Sequence, residues 1–211
     1  MERKLREILV IGAGGHATSC IDLIEKEGSY KIKALVGLPN EIGLQILGYE
    51  VKYSDKDLID LSSKFELACN AIGQIKNPSP RREMSKKLEK FGFQLPQIIS
   101  PTAYVSKHSS LGEGSMVFHN VTMNAGVSIG NHTILNSHSL LEHGVKIGDF
   151  THVSTGVIVN GATSIGNSTF IGSGSVVGEG LKIGDKVIVG MGSRVLSDLP
   201  SGSVNINGVL K

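Results

Sequence analysis

Stepping by six from Val105, the chain reads Val105, Leu111, Val117, Met123, Ile129, Leu135, Leu141, Ile147, Val153, Val159, Ile165, Ile171, Val177, Ile183, Val189 and Val195, every one aliphatic or methionine. A helix needs apolar spacings of three and four, and hairpin strands are longer and alternate with period two. A short strand and a tight turn every six residues describe one side of a coil, and three such sides close a triangular coil of eighteen. The glycines keep that longer period: Gly112, Gly130, Gly148, Gly166 and Gly184 each follow Leu or Ile. Small hydroxylated residues fall four places after many of the aliphatic ones, among them Ser115, Thr133, Ser139, Thr151, Thr163, Thr169 and Ser175. Coils stack at the strand spacing of ~4.8 Å, so residues 99–211 predict a parallel β-helix, a prism roughly 25 Å long. Composition agrees: aromatics are 5%, Trp is absent and Gly numbers 27, so the interior is built from small and β-branched side chains.

Residues 1–98 read differently. Ile8–Ile11 form a buried strand, followed by a glycine turn and an amphipathic helix whose apolar face is Cys20, Ile21, Leu23 and Ile24 and whose stop is Gly28. KIKALVG and ELACNAIG are two further strands, and PSPRREMSKKLEKFG is a helix with proline near its start and Gly92 at its end. Strands alternating with helices predict a small parallel sheet, a Rossmann-like half-domain. Gly12, Gly14 and Ala17 match the spacing of a dinucleotide fingerprint, but the acid that should follow the second strand to hold a ribose is replaced by Val36, Gly37 and Leu38. Hydride transfer on a dinucleotide is therefore not expected. The turn serves packing, or its Gly14, Gly15 and His16 amides receive a phosphate or carboxylate at the helix start.

A net charge of +2 points to neither nucleic acid nor an anionic membrane, and no apolar run is long enough for a signal peptide or a membrane span. The chain reads as cytoplasmic, with Cys20 and Cys69 as buried reduced thiols. A β-helix can also be inert, but inert ones expose regular Thr or Asn ladders. Here the middle coils carry Asn136, His138, Glu142, His143 and His152 instead. Leu141 points inward, which puts Glu142 and His143 at the next turn, where an imidazole can act as a general base. His143 and His152 are half a coil apart and lie on different sides of one prism, so a site using both lies between chains of an oligomer. His108 and His132 read as solvated turn residues. A metal site is the rival, because prism-shaped carbonic anhydrases use two histidines five apart plus a third two coils earlier. His138 and His143 fit, but the third place is Thr102, a poor zinc ligand, and no metal is expected.

VIGAGGHA, AIGQIKNPSPRREM, IISPTAYVS and NSHSLLEHGVKIGDFTHVSTG, in that order, resemble the NeuD/PglD family of sugar acetyltransferases over nearly the whole chain. The resemblance implies a left-handed β-helix, a homotrimer that binds acetyl-CoA between neighbouring prisms, and a role in bacterial surface-glycan (polysaccharide) synthesis. It implies His143 as catalytic base; Glu142, the nearest local carboxylate in the sequence, is placed to orient or charge-stabilise its ring. It implies His152, Ser173 and Met191 as coenzyme contacts. It implies Gly14, Gly15 and His16 as the seat of the acceptor's nucleotide, with Val36 and Gly37 at the acceptor position after the second strand. The acceptor is then a nucleotide-linked 4-amino sugar or a sialic-acid-like acid. Gly144 stands where members acting on UDP-4-amino sugars have Glu or Asp, the C-terminal segment reads NINGVLK, and SLLEHG and STGVIVNG resemble the sialic-acid O-acetylating branch. The alternatives are a non-catalytic sugar-binding partner of a sialic-acid-type synthase and a metal-dependent β-helix lyase.

Overall fold

A computed structural model describes residues 5–75, 77–206 and 209–210 of the chain. The chain divides into two compact units, residues 1–73 with 79–98, and residues 74–78 with 99–211. The stretch 74–78, expected inside the first domain, clusters with the second.

In the first unit, β1 (Arg6–Ile11) buries its last four residues, and α1 (Gly15–Glu27) lays Ala17, Cys20, Ile21, Leu23 and Ile24 against the sheet. Gly28 ends the helix in the left-handed region at φ 77°, donating its N–H to the Ile24 carbonyl. β2 (Tyr30–Gly37), β5 (Leu67–Asn70) and α3 (Ser79–Lys90) follow as the sequence predicts. The sequence reading missed β4 (Tyr49–Ser54), its antiparallel partner β3 (Gln45–Ile46) and the single-turn α2 (Leu58–Leu61). The sheet order is β3-β4-β2-β1-β5, parallel except at β3. Arg81 on α3 is fully buried, and its Nη1 donates to the carbonyls of Asn70 (2.5 Å) and Ile72 (2.9 Å) at the end of β5. Burial lowers the pKa of this guanidinium and pushes the neighbouring Cys20 thiol, hydrogen-bonded to Cys69, well up. Both thiols are free and buried.

The second unit is a β-helix of mostly two-residue strands. One face runs Tyr104–Val105, Thr122–Met123, Leu140–Leu141, Ile158–Val159, Val176–Val177 and Arg194–Val195. The second runs from Ser110–Leu111 to Lys182–Ile183, and the third contains Met116–Val117, Ile134–Leu135, His152–Val153, Phe170–Ile171 and Ile188–Val189. Within each face these strands pair in parallel with their neighbours at a spacing of eighteen residues, Leu140 with Ile158 for example. The second residue of each strand fills the interior, which is why the six-residue period is unbroken.

Two side-chain ladders explain the rest of the repeat. At one corner the Oδ1 of Asp149 accepts the Asn131 N–H (2.7 Å), Asn167 accepts from Asp149 (2.8 Å), and Asp185 accepts from Asn167 (2.6 Å). Acid and amide alternate along this column, so no two carboxylates are adjacent. The glycine before each of these residues has to be glycine: a Cβ on Gly130 would meet Asp149 Oδ1 at 2.3 Å, and one on Gly148 would meet Asn167 Oδ1 at 2.6 Å. Inside the same corner Ser115, Thr133, Thr151 and Thr169 are fully buried, and each donates to a carbonyl fifteen residues ahead. Each hydroxyl also accepts the backbone N–H of the residue eighteen ahead, so no buried polar atom of the ladder is stranded. Of the C-terminal NINGVLK, Asn207, Gly208 and Lys211 lie outside the described residues.

Candidate functional site

Within the first unit the glycine turn lies at the C-terminal edge of the sheet, where β1 passes into α1. Gly12 turns at φ 121° and donates to the Val36 carbonyl (2.7 Å), which sets the β1–α1 turn beside the end of β2. A Cβ on Gly12 would press on the Ala71 carbonyl at 3.2 Å, and the His16 side chain lies against Gly73. Gly14 and Gly15 are exposed with nothing within 4 Å of a Cβ. Gly14 supplies no side-chain cap and no acid stands in the first turn of α1. This helix start therefore keeps partial positive charge for an anion. Val36 is 1% exposed and packs in the core, so it offers an acceptor no side-chain surface. Gly37 is also buried, with the Glu41 carboxylate folded over it.

In the second unit His143 stands exposed at the turn after Leu140–Leu141. Its ring lies across Gly161, where a Cβ would come within 2.6 Å of Nε2 and 2.7 Å of Cε1. Neither ring nitrogen has a protein partner among the described residues, so both meet solvent. Glu142 does not pair with the imidazole. Its Oε2 accepts the Asn124 amide (3.0 Å) and the His143 backbone N–H (3.3 Å), and it therefore fixes the turn that carries the ring. Gly144 adopts φ 70°, and Gly126, Ala162 and Gly180 hold the same conformation in the neighbouring coils.

Ser173 and Met191 lie exposed on a different edge, the turn between the third face and the first, and Met191 is 78% exposed. Beside them Gly174 (φ 69°) and Gly192 (φ 68°) leave the backbone open, whereas Gly172 is held to glycine by the Met191 N–H, 2.5 Å from its would-be Cβ. The face between this edge and the His143 edge presents Leu140, Ile158 and Val176 outward, all partly exposed. His152 is on the third face, 6% exposed, edge-on to Phe170. Its Nδ1–H donates to the Gln74 carbonyl (2.5 Å), and the Gln74 amide donates to the Phe150 carbonyl (2.7 Å). His152 thus latches Gln74 onto the coil.

His132 is buried and stacks on Phe150, with centroids 4.6 Å apart, so it is a packing residue rather than the solvated one expected. His119, not singled out by the sequence, bonds the buried Ser100 hydroxyl at 2.7 Å and closes the first coil with Thr102. Among the described residues no three His, Cys, Asp or Glu gather as metal ligands, and no helix is long and apolar enough to cross a membrane.

Residues 7–88 match the PglD N-terminal domain family and residues 95–205 the GMPPB C-terminal domain family. Perosamine N-acetyltransferase from Caulobacter crescentus, solved with CoA and GDP-perosamine, is 30% identical, with a TM-score of 0.90 over 97% of this chain and 95% of that one. The chain belongs to the NeuD/PglD family of hexapeptide-repeat sugar acetyltransferases. The acetyltransferase domain of PglB from Neisseria gonorrhoeae, solved with acetyl coenzyme A, is 28% identical over 98% of both chains with a TM-score of 0.89. WeeI from Acinetobacter baumannii is 26% identical, covering 98% of this chain and 99% of that one, with a TM-score of 0.83. No curated protein sequence matches.

For this NeuD/PglD-family member, two residues at the candidate site escaped the sequence reading. Gly161 stands eighteen residues after His143, so the coil period alone places it beside the imidazole. Glu41 escaped because the acid was sought directly after the second strand. It comes instead from the far end of a turn.

Proposed function

We propose that the chain is an acetyl-CoA-dependent acetyltransferase that N-acetylates an amino sugar carried on a nucleotide, acting as a homotrimer. The observation that carries this is the His143 imidazole, exposed, backed by Gly161 and open at both ring nitrogens. Relatives solved with CoA, acetyl coenzyme A and GDP-perosamine support both substrate classes.

In the proposed reaction the acceptor nitrogen attacks the thioester carbonyl. The C–N bond forms, the C–S bond breaks, and CoA leaves as the thiol. His143 takes the proton from the attacking amine and returns it to the departing sulfur. Glu142 holds the turn, Ser173 and Met191 line the coenzyme's edge, and the amides of Gly14, Gly15 and His16 receive the acceptor's phosphates. His152 is kept as a coenzyme contact only through its Nε2 side, since Nδ1 is engaged by Gln74. The apolar outward strip of Leu140, Ile158 and Val176 is the surface on which a neighbouring prism packs.

Gly144 does not by itself set the acceptor: its φ of 70° favours glycine, but Ala162 holds the same conformation one coil on, so the turn admits a side chain as well. The test is an acetyl-transfer assay with UDP- and GDP-linked amino sugars beside sialic-acid acceptors. Turnover of a nucleotide-linked amino sugar is expected. Turnover of sialic acids alone would overturn the acceptor class, and no turnover of either would favour a non-catalytic partner of a synthase.

A further inference from the structure

The third face of the β-helix presents an outward column of Met116, Ile134, His152, Phe170 and Ile188, paired from coil to coil. One imidazole interrupts a run of apolar side chains, at a place where packing alone would take another of them. Val153 beside it fills the interior, so the coil does not need the ring of His152 for its core. A polar ring buried this far costs free energy unless it is hydrogen-bonded.

Gln74 supplies the bond, and holds its own place with a second one. Both residues belong to the second unit, and both are buried. The Gln74 side-chain amide donates to the Phe150 carbonyl, while the Gln74 main-chain carbonyl accepts from His152 Nδ1. The two grips straddle Thr151, itself fixed by its bond to the Gly166 carbonyl. A carbonyl oxygen only accepts, so Nδ1 must carry the proton. The neutral ring then has its lone pair on Nε2, which accepts and does not donate. Two residues further along the coil, Ser154 bonds the Ser173 hydroxyl at 2.8 Å, which sets this ring close to the proposed coenzyme edge.

We propose that Gln74 is a positioning residue for the coenzyme: it fixes His152 in the Nδ1–H tautomer, so that Nε2 accepts a hydrogen bond from an amide N–H of the pantetheine arm. This rests on the acetyl-CoA reading above. Gln74 acts through the imidazole, setting both the angle of the ring and the nitrogen that bears hydrogen. In the other tautomer the ring would present an N–H to an N–H.

The experiment joins nitrogen NMR of the histidine rings to calorimetric titration with acetyl-CoA, both on the full chain. The His152 signals are identified by their loss in His152→Asn. At about pH 8, where an ordinary imidazole is neutral, the wild-type ring should show a protonated Nδ1 and a bare Nε2. Gln74→Met keeps the length of the side chain and loses its donor. It should leave His152 in a mixture of tautomers and weaken acetyl-CoA binding roughly 5-fold, the worth of one neutral hydrogen bond. In a His152→Asn background the same change should alter the affinity by less than about 2-fold. A wild-type ring with its proton on Nε2 overturns the proposal before any variant is made. So does an equal loss of affinity with and without His152. A folded wild type that binds acetyl-CoA and is indifferent to Gln74→Met sinks this proposal alone, whereas one that binds no acetyl-CoA sinks the coenzyme reading along with it.

Discussion

The imidazole of His143 and the missing side chain of Gly161 form one device: the ring is placed by the space that glycine leaves. His143→Ala removes no core volume, so stability should change by no more than about 0.5 kcal/mol. The proposed loss of the base should lower kcat by roughly 10²–10⁴-fold and abolish the acid limb of the kcat–pH profile, with acetyl-CoA affinity retained by calorimetry. Gly161→Ala pushes a methyl against Nε2 and Cε1, and the free end of the side chain can yield, so the protein should fold. A displaced base should then cost about 10–100-fold in kcat with little change in KM. Unchanged turnover in both variants would move the chemistry elsewhere. Glu142→Gln keeps an oxygen for the His143 N–H and should leave kcat within about 3-fold, because the carboxylate holds backbone and not the ring.

At the scale of elements, each corner of the β-helix is a stack of nearly identical bonds, and a defect in one coil is felt by its neighbours. Gly148→Ala forces a methyl to within 2.6 Å of Asn167 Oδ1 and 2.8 Å of its backbone nitrogen. A loss of about 1–3 kcal/mol and a melting temperature lower by several degrees are expected from a thermal scan. Thr151→Val strands the Gly166 carbonyl and the Thr169 N–H and should cost a similar amount. The β-helix was legible because its strands and turns repeat in sequence, and repetition removes the ambiguity of any one short apolar pair. The same period carried Gly161, had it been applied outward as well as inward. The hairpin of β3 and β4 was not legible, because its turn is Leu47-Gly48, with leucine at φ 49° where Asn would have announced it. Glu41 was not legible because side-chain direction, set by Pro39 and the Leu38 N–H, decides its place, and strand periodicity says nothing about that.

For the whole molecule, a strip of Leu140, Ile158 and Val176 faces outward between the His143 edge and the edge of Ser173 and Met191. A trimer that covers it would bring one chain's His143 toward another chain's Ser173 and Met191, the coenzyme edge proposed above. Light scattering should give a trimer for the wild type. Ile158→Asp should give a folded monomer with the circular dichroism of the parent and turnover reduced by at least ~10²-fold. A monomeric wild type, or a fully active monomeric variant, would count against a shared site.

The latch between His152 and Gln74 sets an order of events on the ribosome. The stretch 74–78 leaves the exit tunnel long before its seat does, since residue 152 is made 78 residues after residue 74. Until then Gln74 lacks its partners His152 and Phe150, although every strand and helix of the first unit has already been made. Gln74 is therefore seated on its coil only after the elements on either side of it in sequence have emerged.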